Sequence, residues 1–215
     1  MASIVTDPHG RTSWKGGPVS WLLRSALLLV GCVVLGIGVG LLLTADLGSD
    51  GYSTLVNGIA LSSGLTFWVA NLAVGVAFVA LAAARKVYPG VGTVVQVGLV
   101  GLTVSVALDL MSTPDGLPAR IGLLVLAFPV LAVGIAAYLG SQTGDGPEEG
   151  AALAWDPPVP FRWSYSAVQG GGALAGWLLG ATIGAGTIAV IFLLGPLVDL
   201  AARLLRVDIH QSDQS

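Results

Sequence analysis

The sequence predicts an all-α polytopic membrane protein of six transmembrane helices, built as two inverted three-helix repeats. Three observations predict it. First, 54% of the 215 residues are hydrophobic, 10% are charged and the mean hydropathy is +0.86, whereas a soluble domain carries about 25% charged residues. Second, six segments approach or exceed the roughly 20 mostly apolar residues that a bilayer crossing needs: 21–45, 65–84, 93–111, 121–139, 164–181 and 186–205. Third, Gly90-Val91-Gly92-Thr93, followed by Gly101, recurs 94 residues later as Gly184-Ala185-Gly186-Thr187, followed by Gly195. A fixed internal offset marks a duplicated unit. Three spans per copy is an odd number, so the second copy must enter from the opposite face.

The N-terminal residues 1–18 form a polar tail. Arg11, Lys15 and Arg24 around the first span resemble a signal-peptide start, but the apolar run is too long and Thr44-Ala45-Asp46 is a poor cleavage site, so the span is retained. Cys32, the single cysteine, lies within that run and excludes a disulfide framework. Residues 46–63 are too long for a turn. Gly48-Ser49-Asp50-Gly51 there precedes a short helical pattern at 52–61, with Asp50 as its N-cap.

The second span carries Asn71 and ends at Arg85 and Lys86. The Gly90 turn is a tight connector with Thr93 capping the third span; without a third glycine, and between two membrane helices, it is not a dinucleotide loop. The fourth span leads into residues 141–162, where Gly144-Asp145-Gly146-Pro147 precedes a short helix at 148–154. Pro147 suits its first position, Asp145 or Gly146 its cap, and Glu148 and Glu149 its first turn. Both short helices are amphipathic, and each is either interfacial or re-entrant. Pro157, Pro158 and Pro160 end the second. The fifth span carries Gln169 where the second carries Asn71. The sixth carries Asp199, four residues before Arg203. The units are a tail at 1–18, repeat 1 at 19–118, repeat 2 at 119–206 and a tail at 207–215.

Charge orients the bundle. With the N-terminus inside, eight Lys and Arg (Arg11, Lys15, Arg24, Arg85, Lys86, Arg162, Arg203, Arg206) face the cytoplasm against Arg120 outside. Both termini are then cytoplasmic, in a bacterial inner membrane. Trp21, Trp68 and Trp163 sit near span ends as interfacial anchors, and Trp177 is expected to fill space against the glycines.

Soluble-enzyme chemistry finds no footing. His9 and His210 lie in the tails, no His/Cys/Glu set has metal spacing, and no nucleophile–base set is visible. No cofactor and no nucleic-acid partner is expected. Polar groups inside apolar spans are the better leads, because lipid makes each one costly. Asn71 and Gln169 either bond helix to helix or contact a solute. Asp109 reads as ordinary solvation at a membrane edge, and Asp199 as a surface pair with Arg203. With acids at the short-helix starts and no Lys or Arg deep in any span, a cavity there suits a cation, an amine, a zwitterion or a proton-coupled neutral solute.

At these residues the chain resembles the bacterial YitT/YczE-like integral membrane proteins. Gly48-Ser49-Asp50-Gly51-Tyr52-Ser53 is similar to the family's Gly-x-Asp-Pro-Trp-Thr, with Gly51, Tyr52 and Ser53 departing from it. Gly144-Asp145-Gly146-Pro147-Glu148-Glu149 is similar to Gly-x-Gly-Pro-x-Asp, with Glu149 in the aspartate's place. Ala167-Val168-Gln169 stands where the family tends to show Ala-Ile-Glu. Gly176-Trp177-Leu178-Leu179-Gly180, Gly184-Ala185-Gly186-Thr187 and Gly195-Pro196-Leu197-Val198 follow closely. The resemblance covers roughly residues 30–205 and implies topology more than activity.

The expected function is passage of a small solute by alternating access. Asp50, Asn71, Glu149 and Gln169 contact the solute, and Asp145, Pro147 and Glu148 act as gate or cap. The alternative is a non-transporting scaffold or regulator of another membrane protein. Expected partners are the lipid bilayer, the solute, and a second copy or another membrane protein.

Overall fold

In the computed structural model, the described residues are 4–6, 12–14, 18–155 and 158–207, with side chains from residue 21 onward. His9, Arg11, Lys15, Asp156, Pro157 and His210 lie outside them. The described residues form eight helices: α1 (Pro18–Ala45), α2 (Gly51–Ser63), α3 (Phe67–Ala84), α4 (Val91–Leu110), α5 (Leu117–Gly140), α6 (Pro147–Leu153), α7 (Phe161–Leu178) and α8 (Ala185–Leu205). Within the N-terminal segment expected to be a plain polar tail, β1 (Ile4–Thr6) pairs antiparallel with β2 (Thr12–Trp14).

Five helices, α1, α3, α4, α5 and α8, are long and apolar enough to cross a membrane. Large apolar side chains such as Leu22, Val76, Leu110, Phe192 and Leu204 point outward on them, as a lipid-facing surface requires. By these helices the chain is a multi-pass integral membrane protein. The helix expected at 164–181 forms as α7 but is not among the five. Arg162, Ser164, Tyr165, Ser166, Gln169 and Gly170-Gly171-Gly172 dilute its apolarity.

α1 and α5 form the central pair, packed antiparallel. A Cβ on Gly31 would lie 2.6 Å from the Tyr138 nitrogen, and one on Gly38 2.8 Å from Leu131 Cγ. Glycines at these crossings let the two backbones approach as small residues do in lipid-embedded bundles. Two other α1 glycines face α4: Cβ atoms on Gly36 and Gly40 would lie 2.6 Å from Thr103 Cβ and 2.5 Å from Ala107 Cβ. Leu35, Leu42, Val56, Val104, Phe128, Leu131 and Val190 share the main core.

α1 and α5 end alike. Asp46 (φ 49°) and Gln142 (φ 51°) take the left-handed conformation just past each helix, and each end is held from the other half. Arg24 donates through Nε to the Ser141 carbonyl at 2.8 Å and through its guanidinium to the Gln142 carbonyl. Arg120 donates through Nε to the Ala45 carbonyl at 2.8 Å and through its guanidinium to the Asp46 carbonyl. The last carbonyls of a helix lack internal partners, and a cation there also suits the negative helix end. The spacing of 96 residues separates both the arginines and their targets. Arg120 additionally pairs with the Asp46 carboxylate at 2.8 Å. Arg24 and Arg120 were expected as loop charges; each instead serves as a cap for the opposite helix.

The glycine-threonine turns also reach across. Gly92 N–H donates to the Thr143 carbonyl at 3.0 Å, and Gly186 N–H to the Leu47 carbonyl at 2.8 Å. Thr93 does not cap its own helix, as expected from sequence: its hydroxyl donates to the Asp145 carbonyl at 2.5 Å. The tertiary partner outcompetes the local one because it sits directly over the helix start.

α8 is α-helical at Ala185–Ala189 and Gly195–Leu205 but π-helical at Val190–Leu194. Pro196 supplies the reason. It has no N–H, and its ring crowds the carbonyl four residues back, at Phe192. Trp177, expected to fill space among the glycines, is 51% exposed and faces outward; Gly172 and Gly176 are instead filled by α2.

Candidate functional site

The two short helices start at one place. α2 begins at Asp50, whose carboxylate accepts the Ser53 N–H at 2.8 Å as the N-cap. It then runs alongside α7 in the same direction. A Cβ on Gly51 would overlap the Gln169 carbonyl oxygen, and one on Gly58 the Gly176 carbonyl oxygen. α6 begins at Gly146, its N-cap, with Pro147 first and Glu148 and Glu149 in its first turn. Asp145 is therefore not the cap. The extended backbone needed at that position falls on Gly146.

A cavity of about 710 Å³ lies between these helix starts and the central pair. It gathers all four residues expected to contact a solute: Asp50, Asn71, Glu149 and Gln169. Pro147 and Glu148 also line it, and Asp145 does not. Among the described residues no Lys, Arg or His lines it. Four carboxyls line it, Asp50 from the first half and Glu148, Glu149 and, at its exposed edge, Asp199 from the second. Among the described residues no three His, Cys, Asp or Glu side chains converge as a metal site.

Electrostatics follow from burial. Desolvation pushes the Glu149 carboxyl up to about 7; its own backbone hydrogen bond opposes this and the charges of Asp145 and Asp50 add to it. Desolvation, then the charges of Glu149 and Asp50, push Glu148 well above the usual carboxyl range. Burial also raises Asp50, against the hydrogen bonds from Ser53 and Tyr52. Burial thus favours the protonated form of Asp50, Glu148 and Glu149, and brings Glu149 to the point where it can gain or lose a proton near neutral pH.

Both amides have protein partners. Asn71 Nδ2 donates to the Val97 carbonyl at 2.6 Å, tying α3 to α4. Gln169 Nε2 donates to the Tyr165 hydroxyl at 2.9 Å, and its Oε1 accepts the Tyr52 N–H at 3.3 Å. The Asn71–Val97 and Tyr52–Gln169 bonds are the helix-to-helix bonds that the sequence allowed, made at the cavity wall. Gln169 joins the two halves; Asn71 stays within one.

Polar lining residues not expected as site residues include three around the acids. Gln96, one turn into α4, and Tyr52 and Tyr138 face the same space. Gln96 carried a signal, a polar side chain inside an apolar span; the tyrosines carried none, since aromatics in such runs usually pack. Gln96 Oε1, Tyr52 OH and Glu149 Oε2 are buried without a hydrogen-bond partner. Asp199 is exposed at the cavity edge and makes no ion pair with Arg203, contrary to the surface pair expected from their spacing. Asp109 does not line the cavity.

No solved structure matches the chain. An uncharacterized protein of Haemophilus influenzae (strain Rd) is 24% identical over 200 residues, which is 91% of each chain. A family model matches residues 22–203, and the chain belongs to that family, the family of unknown function DUF6198.

Proposed function

We propose that this protein carries a small cationic solute, an amine above all, across a bacterial inner membrane by alternating access between two inverted repeats. The observation that supports it most is the meeting of Asp50 with Glu148 and Glu149, from opposite halves, at one cavity that no Lys, Arg or His among the described residues lines. Sites between inverted repeats, built by broken helices, are the usual design of secondary transporters. In this reading α7 is the fifth of six spans, the repeats run over 19–118 and 119–206, and both termini are cytoplasmic. The reciprocal arginine caps and reciprocal turn contacts, each joining one half to the other, favour the inverted arrangement. The parallel run of α2 along α7 favours a re-entrant over an interfacial short helix. The motifs at Gly48 and Gly144 favour kinship with the YitT/YczE-like proteins. Asp50, Glu149, Asn71 and Gln169 form the binding wall, with Pro147, Glu148 and Asp145 at its gate, and the role is passage rather than catalysis.

The test is uptake into proteoliposomes. An inward cation gradient of a labelled primary amine should drive accumulation that Glu149→Gln abolishes. Accumulation of an anionic solute, untouched by Glu149→Gln and Asp50→Asn, overturns the reading. The engagement of Asn71 and Gln169 with helices favours a second reading, a membrane scaffold. Cysteines at these two positions distinguish them: a carrier exposes them to water from alternating sides, a scaffold protects both throughout.

A further inference from the structure

The cavity has a mainly polar and a mainly apolar wall. Most of its hydrogen-bonding groups stand on α2, α3, α4, α6 and α7, while α1, α5 and α8, apart from Tyr138, Thr187 and Asp199, contribute apolar side chains such as Leu35, Leu131 and Val190. On the polar side, Gln96 Oε1, Glu149 Oε2 and the Tyr52 hydroxyl oxygen are buried and unpartnered. Gln96 and Glu149 converge above Gly146. A Cβ there would overlap Glu149 Oε2 and lie 3.1 Å from Gln96 Oε1. A buried polar atom left unpaired costs about 1–3 kcal/mol, and such atoms in a folded protein call for an explanation. All three can accept, and the Gln96 and Glu149 oxygens lie close enough for one donor-rich group to relieve both, with Tyr52 on the same cavity wall.

The cavity also opens sideways. In the first half α3 packs on α4, sealed by Asn71 on Val97 and by Trp68 Nε1 donating to the Gly98 carbonyl at 3.2 Å. In the second half α7 and α8 make at most grazing contact. Ser166 and Gly170 of α7, and Ile191, Gly195 and Asp199 of α8, line the cavity and are exposed. Trp177, Ile188 and Phe192 point outward on the same two helices, so this opening faces the bilayer core.

We propose that the cavity binds an amphipathic organic amine that enters from the bilayer between α7 and α8, its ammonium donating to Glu149, Gln96 and Tyr52 and its hydrocarbon lying on the α1/α5/α8 wall. This rests on the cationic reading above and names its ligand class. An inorganic cation leaves the apolar wall unused, and a fatty acid brings acceptors to acceptors.

The full chain in phosphatidylcholine vesicles tests it. Dicyclohexylcarbodiimide, which modifies buried carboxyls from lipid, is added and loss of unmodified Glu149 is read by mass spectrometry, which counts the N-acylurea and any amide formed with an added amine alike. Octylamine should slow modification by about tenfold, the effect of a charge-assisted contact, while octanol, octanoate and ethylamine should not. Gly170→Trp, at a site where a Cβ meets nothing within 4 Å, should narrow the opening and abolish the octylamine effect. Equal protection by octanol overturns the proposal in favour of simple lipid occupancy. Protection by ethylamine as strong as by octylamine overturns the amphipathic ligand but leaves the cation carrier standing. Protection by no amine overturns both. Unchanged octylamine protection in Gly170→Trp overturns the lateral route.

Discussion

The seams α3–α4 and α7–α8 come from corresponding parts of the chain, yet one is closed and the other open. In the first, Asn71 bonds the Val97 carbonyl, and a Cβ on Gly75 would lie 2.6 Å from Val97 Cγ1. In the second, Gln169 stands where Asn71 does but turns to Tyr52 and Tyr165, and Pro196 breaks the facing helix into a π turn. The difference teaches that one extra methylene redirected an amide. The longer Gln169 reaches α2, and the seam behind it loses its lock. A few polar positions decide which seam opens.

The sharpest way to break this comparison is steric. Gly75→Leu should overpack the closed seam at a cost of about 1–3 kcal/mol or more, whereas Gly170→Leu, facing open space, should leave the melting temperature of the purified protein nearly unchanged. Equal losses would show that both seams are packed. Next in size is pH. Glu149 ionises near its ordinary 4.5 when unfolded and near 7 when folded. The unfolded chain therefore holds fewer protons across this window, and stability is full below it and falls as pH rises through 7. The groups facing the same cavity, Asp50, Glu148, Tyr52, Tyr138, Tyr165 and Asp199, remain in Glu149→Gln, which should flatten much of that slope in thermal melts. An unchanged slope would assign the effect to Glu148.

A smaller effect tests the seam bond. Asn71→Leu should cost about 1 kcal/mol and raise the reactivity of a cysteine placed at Val97, bringing the first seam toward the second. No gain in reactivity would mean that packing alone closes it. Smallest is the contrast between the reciprocal caps. Arg120→Ala should destabilise more than Arg24→Ala, because only Arg120 adds a carboxylate, but by less than about 1 kcal/mol. The Asp46 side chain is 44% exposed, and exposed pairs are worth little. Thermal melts of the two variants measure the difference.

Much of the site was legible from residue type and position. Asp50 was read as a cap from its place before a short apolar helix, and it is one. Pro147, Glu148 and Glu149 were read into a first turn, and they occupy it. Local rules of helix starts act over three or four residues, so they survive into the fold. The failures share a cause of the opposite kind. Thr93 found a carbonyl 52 residues away, Arg24 and Arg120 found helix ends in the other half, and Trp177 turned outward because α2 had taken its place against the glycines. Asp199 and Arg203 had the right spacing for a pair, but α8 presents Asp199 to the cavity edge.

By itself the sequence determined the membrane environment and the existence and order of the helices, because apolar run length is a property of the chain alone. Only the tertiary structure decided that Asp50, Glu148 and Glu149 share one cavity, that Gln96, Tyr52 and Glu149 keep unmatched oxygens there, and that one seam of two stays open. Those outcomes depend on which backbones approach within a few ångströms and which long side chains reach across, and contacts between residues about a hundred positions apart leave no periodic trace in the sequence.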